Sequence, residues 1–328
     1  IGATLGLLDS HSPEWTWVTT VLLLDVAHVY STAFRVYFDR GEFLRRRSLF
    51  LLTPSIAFVV GWAVYSEYGS TVFWRVLAYL AVFHFVRQQY GWVALYRSRG
   101  GESGRFGKVV DSAAVYLATI YPLVWWHVHL PREFGWFLDS GDDFVSNLPG
   151  TLEVVLRPVY WMTLVVYFSR SAVRGFRDGL WNPGKDIVVA TTAACWYVGI
   201  VLFNSDYAFT VTNVVVHGVP YLVLVYWSWS RRSEAGLQPD ASRTKWTRLR
   251  RVFLFLSTLW VLAFVEEFAW DRGLWHEREW LFGTGGDFGE WRSVLVPLLV
   301  VPQVSHYILD GFIWRRRSNA KVRELLDE

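Results

Sequence analysis

Apolar residues in this chain fall in blocks of about twenty, separated by short polar connections. A helix rises 1.5 Å per residue, so about twenty residues cross the hydrocarbon core of a bilayer. The blocks predict nine helices, over 15–38, 48–66, 71–96, 109–128, 151–169, 186–203, 207–229, 252–269 and 292–314. The connection Asn204, Ser205, Asp206 is so short that its two helices must be antiparallel neighbours. GRFGK at 104–108 and NPGK at 182–185 carry the glycines and proline that break a helix. No long polar linker divides the sequence, so residues 1–328 are expected to form a single transmembrane helical domain. The fold class is therefore all-α, a polytopic transmembrane helical bundle.

Composition agrees with this pattern: 53% of the residues are hydrophobic and only 19% charged, against nearer a quarter charged in soluble domains. Cys195 is the only cysteine, which excludes an internal disulfide framework and any CxxC motif. The 20 tryptophans exceed the needs of two interfacial belts and fit either the wall of an apolar pocket or a compositional preference. No N-terminal stretch reads as a cleavable signal peptide.

Charge orients the helices. The basic runs at 45–47, 97–108, 170–185, 231–251 and 315–317 all fall on one side, with about 24 Lys and Arg against about three opposite. That side is expected to be cytoplasmic, with the N-terminus outside and the C-terminus inside, in the inner membrane of a bacterium. Topology explains the basic runs fully, so no nucleic-acid partner is invoked. The opposite loops are acidic, with Asp139, Asp142 and Asp143 in one and Asp271, Glu277, Glu279 and Asp287 in the other. Their mixture of acids and aromatics, at 134–144 and 275–288, predicts short interfacial helices on the outer surface.

Candidate chemistry comes from polar residues inside the apolar blocks, where a charge costs about 2.5–3.5 kcal/mol on insertion scales. Of eight histidines, His11, His127, His129 and His276 sit at helix ends or in outer loops. His28, His84, His217 and His306 lie on the first, third, seventh and ninth predicted helices, all running from outside to inside. Each falls at a similar depth, within about 6 Å of the others. Each has a polar companion one turn away on the same face: Asp25, Gln88, Asn213 and Asp310, in the strings DVAH, HFVRQ, NVVVH and HYILD. Such pairs on facing helices are how bundles assemble metal sites in their cores. Imidazole with carboxylate suits iron, zinc or manganese, and the lack of thiolate argues against copper(I) and iron–sulfur centres. The expected metal ligands are His28, His84, His217, His306, Asp25 and Asp310, with Arg87 and Gln88 acting beside them. For any one of these histidines, a hydrogen-bonded packing role is the competing reading.

Further polar groups continue toward the basic side: Arg35, Gln89, Tyr90 and Arg315. Arg87 is a candidate partner for Asp25 or Asp310. Glu266 and Glu267 form a second acidic site, with Arg157 and Arg75 as candidate ion-pair partners. Gly218, Pro220 and Pro302 loosen two of the histidine-bearing helices.

These features predict a membrane-embedded, non-haem iron oxygenase or desaturase-type enzyme acting on a membrane lipid or other lipophilic substrate such as an isoprenoid. The HxxxH and HxxHH boxes of fatty-acid desaturases and alkane hydroxylases are absent. Through His28, His84 and His217, isolated on separate helices, the chain resembles the bacterial membrane β-carotene cleavage dioxygenases. That resemblance implies a multi-span fold with iron held by those histidines. Tyr221 stands one turn after His217, where that family carries a second histidine. HVYSTAFR, HFVRQQYGW and HYILDGFIWR also resemble segments of other bacterial multi-pass membrane proteins. Two alternatives remain at this point: a haem-bearing electron-transfer subunit with bis-histidine pairs, and a transporter or accessory subunit of a larger membrane complex.

Overall fold

The computed structural model describes residues 13–133, 144–234 and 245–315. These residues are helical almost throughout, with no strand among them. Eight helices are long and apolar enough to cross a membrane: α1 (Glu14–Val36), α2 (Arg47–Arg99), α3 (Arg105–Val128), α4 (Gly150–Asp178), α5 (Pro183–Leu202), α6 (Asp206–Arg232), α7 (Lys245–Trp275) and α8 (Gly289–Ile313). Seven of them each correspond to one predicted block, three of the blocks running one or two residues past the helix end. The 53-residue α2 contains two, 48–66 and 71–96, and is interrupted between them at Gly69, where φ is 83° and ψ 174°. Residues with a Cβ are strained in that region, so this glycine marks the break. The connections carry the caps expected of them. Asn182 accepts from the Lys185 amide ahead of α5, with Pro183 in the first turn, and Ser205 accepts from the Ala208 amide ahead of α6. Wide π-type turns over Trp17–Val26 and Thr210–Val214 run directly into the segments bearing His28 and His217. Such turns recur at functional sites.

Packing groups the described residues into two compact units, one containing Trp74–His217 and the other Trp17–Phe73 with Gly218 onward. In the first, α3, α4 and α5 share a core. Ala114 and Ala118 of α3 have no exposed surface, and small residues there let Tyr160, Leu164 and Tyr167 of α4 pack close. One end of this unit is closed by a buried ion network. Lys185 Nζ lies 2.8 Å from both Glu102 oxygens and 3.2 Å from Asp111. Arg97 and Arg170 donate to Asp111 at 2.6 and 3.1 Å, while Arg174 and Asn182 donate to Glu102. In the sequence these cations read as topology charges; folded, they converge on two carboxylates.

In the second unit, Leu22, Ala27 and Phe34 of α1 pack on Tyr221, Leu222 and Val225 of α6 and on Phe255, Leu259 and Ala263 of α7. Arg35 and Arg232 both reach Asp39, whose carboxylate also caps the short helix Arg40–Arg45. After Trp275 the chain turns back and forms one short helix, Glu279–Phe282, of which only Phe282 is buried. The reason is Asp271, whose carboxylate accepts from the Glu277 and Arg278 amides at 3.0 and 2.8 Å and folds the chain back. Phe282 then seats against Trp17 and Phe264. The other acidic loop, with Asp139, Asp142 and Asp143, lies outside the described residues. So does His11.

Large apolar side chains also cover exposed helix faces, among them Leu51, Ile56 and Val59 on α2, Val154 and Val165 on α4, and Phe253 and Val261 on α7. In water such faces would be a liability; against lipid they are the required surface.

The ion network makes a stability prediction. Burial by itself would raise the Glu102 carboxyl, but hydrogen bonds from Lys185, Asn182 and Arg174 outweigh it and hold the group at about 2. A depressed folded pKa stabilises above the unfolded value, and that stabilisation is lost as pH falls through the folded value. Unfolding in detergent micelles should therefore become easier from about pH 4.5 down to about pH 2, and Glu102→Gln should flatten that slope. Lys185→Met, which removes one partner of a buried pair, should cost about 3 kcal/mol. A cost below about 1 kcal/mol would mean that water screens the network.

Candidate metal centre

Each unit contains one pair of buried histidines. In the second unit, α1 carries Asp25, His28 and Thr32 at one-turn spacing along one face, and α8 carries His306, Asp310 and Trp314 in the same way. The rings of His28 and His306 meet edge to face with centroids 4.9 Å apart. Asp25 Oδ1 lies 3.5 Å from His28 Nδ1, an ion-pair distance rather than a short hydrogen bond. His306 Nδ1 lies 2.8 Å from Thr32 Oγ1, which in turn lies 3.1 Å from the Tyr221 hydroxyl. The Trp314 ring meets the Tyr221 ring edge to face, with centroids 6.3 Å apart.

In the first unit, His84 of α2 and His217 of α6 meet in the same manner, 5.1 Å apart at 85°. The Phe85 ring lies against His217 at 3.8 Å. Gln88, one turn after His84, is 7% exposed, and neither of its amide atoms has a protein hydrogen-bond partner among the described residues. Asn213, one turn before His217, gives its amide to Thr212 at 3.0 Å and to the Cys195 and Phe209 carbonyls at 3.4 Å. Gly199 makes room for this contact, because a Cβ there would stand 2.5 Å from Asn213 and 2.3 Å from Thr212.

All four predicted histidines are thus buried, and the structure brings His28 to His306 and His84 to His217. Arg87 is exposed; its guanidinium donates to the Tyr116 hydroxyl at 2.5 Å and lies over the Tyr90 ring. Arg35 is buried and reaches Asp39 and the Trp314 ring. Arg157 binds Glu153, one turn earlier on its own helix, rather than the acidic pair of α7. Glu266 meets Tyr30 and Trp270 instead. Thr32 and Tyr221 escaped sequence reasoning. Thr32 lies four residues after His28, but its ring contact is His306 on another helix, which spacing along α1 does not show. Tyr221 drew notice only as a position without a histidine.

No family model matches this chain, and no curated protein or solved structure matches it either.

The donor set suits a nitrogen-liganded ion: paired neutral-capable imidazoles, flanking carboxylates and no thiolate. Rings that meet edge to face at 4.9 and 5.1 Å leave no room for a porphyrin between the members of either pair. Gln88 is the polar group with the least evident structural use. Burying an unsatisfied amide costs about 1–3 kcal/mol, and sites of function retain such groups at the expense of stability. Gln88→Met should therefore unfold at equal or higher denaturant than the wild type. A loss of about 1 kcal/mol or more would show that its amide carries structural hydrogen bonds.

Proposed function

We propose that this chain is an integral membrane metal-dependent oxidoreductase, of the non-haem iron oxygenase or desaturase type, acting on a lipid or isoprenoid. The observation that carries the reading is that all four histidines are buried and paired within their units, His28 with His306 and His84 with His217, ring centroids 4.9 and 5.1 Å apart. Iron is the first assignment, with zinc or manganese next. Such an ion, with a coordination position left open, supplies the activation of dioxygen. Asp25 and Asp310 serve as further ligands or as acceptors that orient the rings. Gln88 offers a buried donor and a buried acceptor beside His84 to a bound molecule.

The setting favours an apolar substrate. The helices expose apolar faces of the kind that lipid covers, and a lipophilic molecule would reach the interior from the bilayer without crossing water. The topology that goes with this reading has nine crossings, with α2 counted as two about Gly69. Its N-terminus is outside and its basic ends face the cytoplasm, in a bacterial inner membrane. The chain could also serve within a larger membrane complex. Haem is disfavoured by the ring spacing given above.

Elemental analysis of the detergent-purified protein is the test. The expected result is about one transition-metal ion per chain, lost in both His84→Ala and His306→Ala and retained in Cys195→Ser. Metal content unchanged in either histidine variant would refute a shared ion. A Soret band in the purified protein would replace the reading with the haem one.

A further inference from the structure

We propose that the end of the first unit where α2, α3, α4 and α5 join is a binding surface for the headgroup of an anionic phospholipid, held by Arg99, Arg105 and Lys108. It requires no bound metal, only that these helix ends lie at a membrane surface.

The charge balance of this end leaves a surplus. Segments 97–111 and 170–186 carry eight Lys and Arg against four Asp and Glu. All four acids are already engaged. Glu102 and Asp111 are surrounded by the cations of the ion network. Asp178 pairs with Arg177 at 3.0 Å, and Asp186 accepts from the Tyr167 and Ser171 hydroxyls at 2.8 and 2.7 Å. Arg99, Arg105 and Lys108 are exposed and have no acid partner among the described residues.

The fold gathers these three cations. The Arg97 guanidinium gives to the Gly104 carbonyl at 2.6 Å, and the Glu102 amide gives to the Arg97 carbonyl at 3.1 Å, so the loop between α2 and α3 is closed on itself. Arg99, in the last turn of α2, is thereby kept near the first turn of α3, where Arg105 and Lys108 share one face. Like charges held together repel one another, and an anion relieves that repulsion. Guanidinium groups also match the oxygens of a phosphate.

Neighbouring side chains make a membrane lipid, rather than a soluble anion, the fitting partner. Phe106 and Val109 alternate with the cations of α3 and are 70% and 65% exposed. At the same end of the unit, the Phe176 and Trp181 rings meet edge to face at 4.9 Å and are 83% and 53% exposed. A Cβ on Gly175 would stand 2.4 Å from the Trp181 ring, so that glycine gives the indole its seat on α4. Exposed apolar groups among cations match the boundary between headgroups and acyl chains. The rule that places cations on one side of a membrane does not ask for those apolar groups.

Native mass spectrometry of the full chain in detergent, with equal amounts of phosphatidylglycerol and phosphatidylcholine of the same acyl chains, reads the preference. Wild type is expected to retain phosphatidylglycerol at least about tenfold better, since each cation near an anionic headgroup changes binding by about fivefold. Arg99→Gln/Arg105→Gln/Lys108→Gln should lose that preference. These side chains are exposed and lie outside the ion network, so the variant should unfold like the wild type. Removing three exposed cations elsewhere, in Lys245→Gln/Arg248→Gln/Arg250→Gln, should leave the preference unchanged. Equal retention of the two lipids by the wild type, or an equal loss in both triple variants, would overturn the proposal. Glycerol phosphate at the concentration of the lipid is expected not to compete, and full displacement by it would overturn the assignment to a lipid.

Discussion

The cost of removing a polar group from water without giving it a partner governs this molecule. Outside the candidate site, several buried carboxylates meet that cost with partners. Glu102 and Asp111 are wrapped by Lys185, Arg97, Arg170 and Arg174. Asp271 is wrapped by two backbone amides, and Asp39 by two arginines and a helix start. Each closes a turn or a helix end, so the polar residues act as fasteners for an otherwise apolar chain. The histidine pairs have a different character. They lie within the long helices, carry aromatic and hydroxyl neighbours, and are flanked by Gln88, whose amide closes nothing. Polar groups with no fastening task, placed where they are most costly, are the physical basis for reading a site there.

Much of the fold was legible because hydrophobic length is a coarse and strong signal. Every predicted block matches a long helix to within two residues at its C-terminal end, and the Gly69 break falls between the second and third blocks, where the sequence leaves 67–70 out of both. What escaped was what depends on side chains meeting at a distance along the chain. Glu102 and Lys185 are 83 positions apart, and nothing local says that four cations from three helices share two carboxylates. Arg157 was assigned to the acids of α7 on charge alone, whereas Glu153, four residues before it, was the nearer partner by helix geometry. In the segment 275–288, Asp271 folds the chain back through the Glu277 and Arg278 amides, a pattern that composition does not reveal.

The candidate site shows the same division. The histidines were found because four of them recur at one depth, and their burial and pairing agree with that expectation. One polar companion per histidine, one turn away, located Asp25 beside His28, whereas Thr32 contacts His306 from a different helix. A contact between helices is not visible in the spacing of either one. Arg87 illustrates the opposite error, since a charge next to a site residue in sequence is turned toward Tyr116 in space.

X-ray absorption at the metal edge of the purified protein tests the central claim most directly. The account predicts a first shell of nitrogen or oxygen at about 2.1 Å, with the outer-shell pattern of several imidazoles. A sulfur shell, a porphyrin signature, or a shell without imidazole scattering would contradict it.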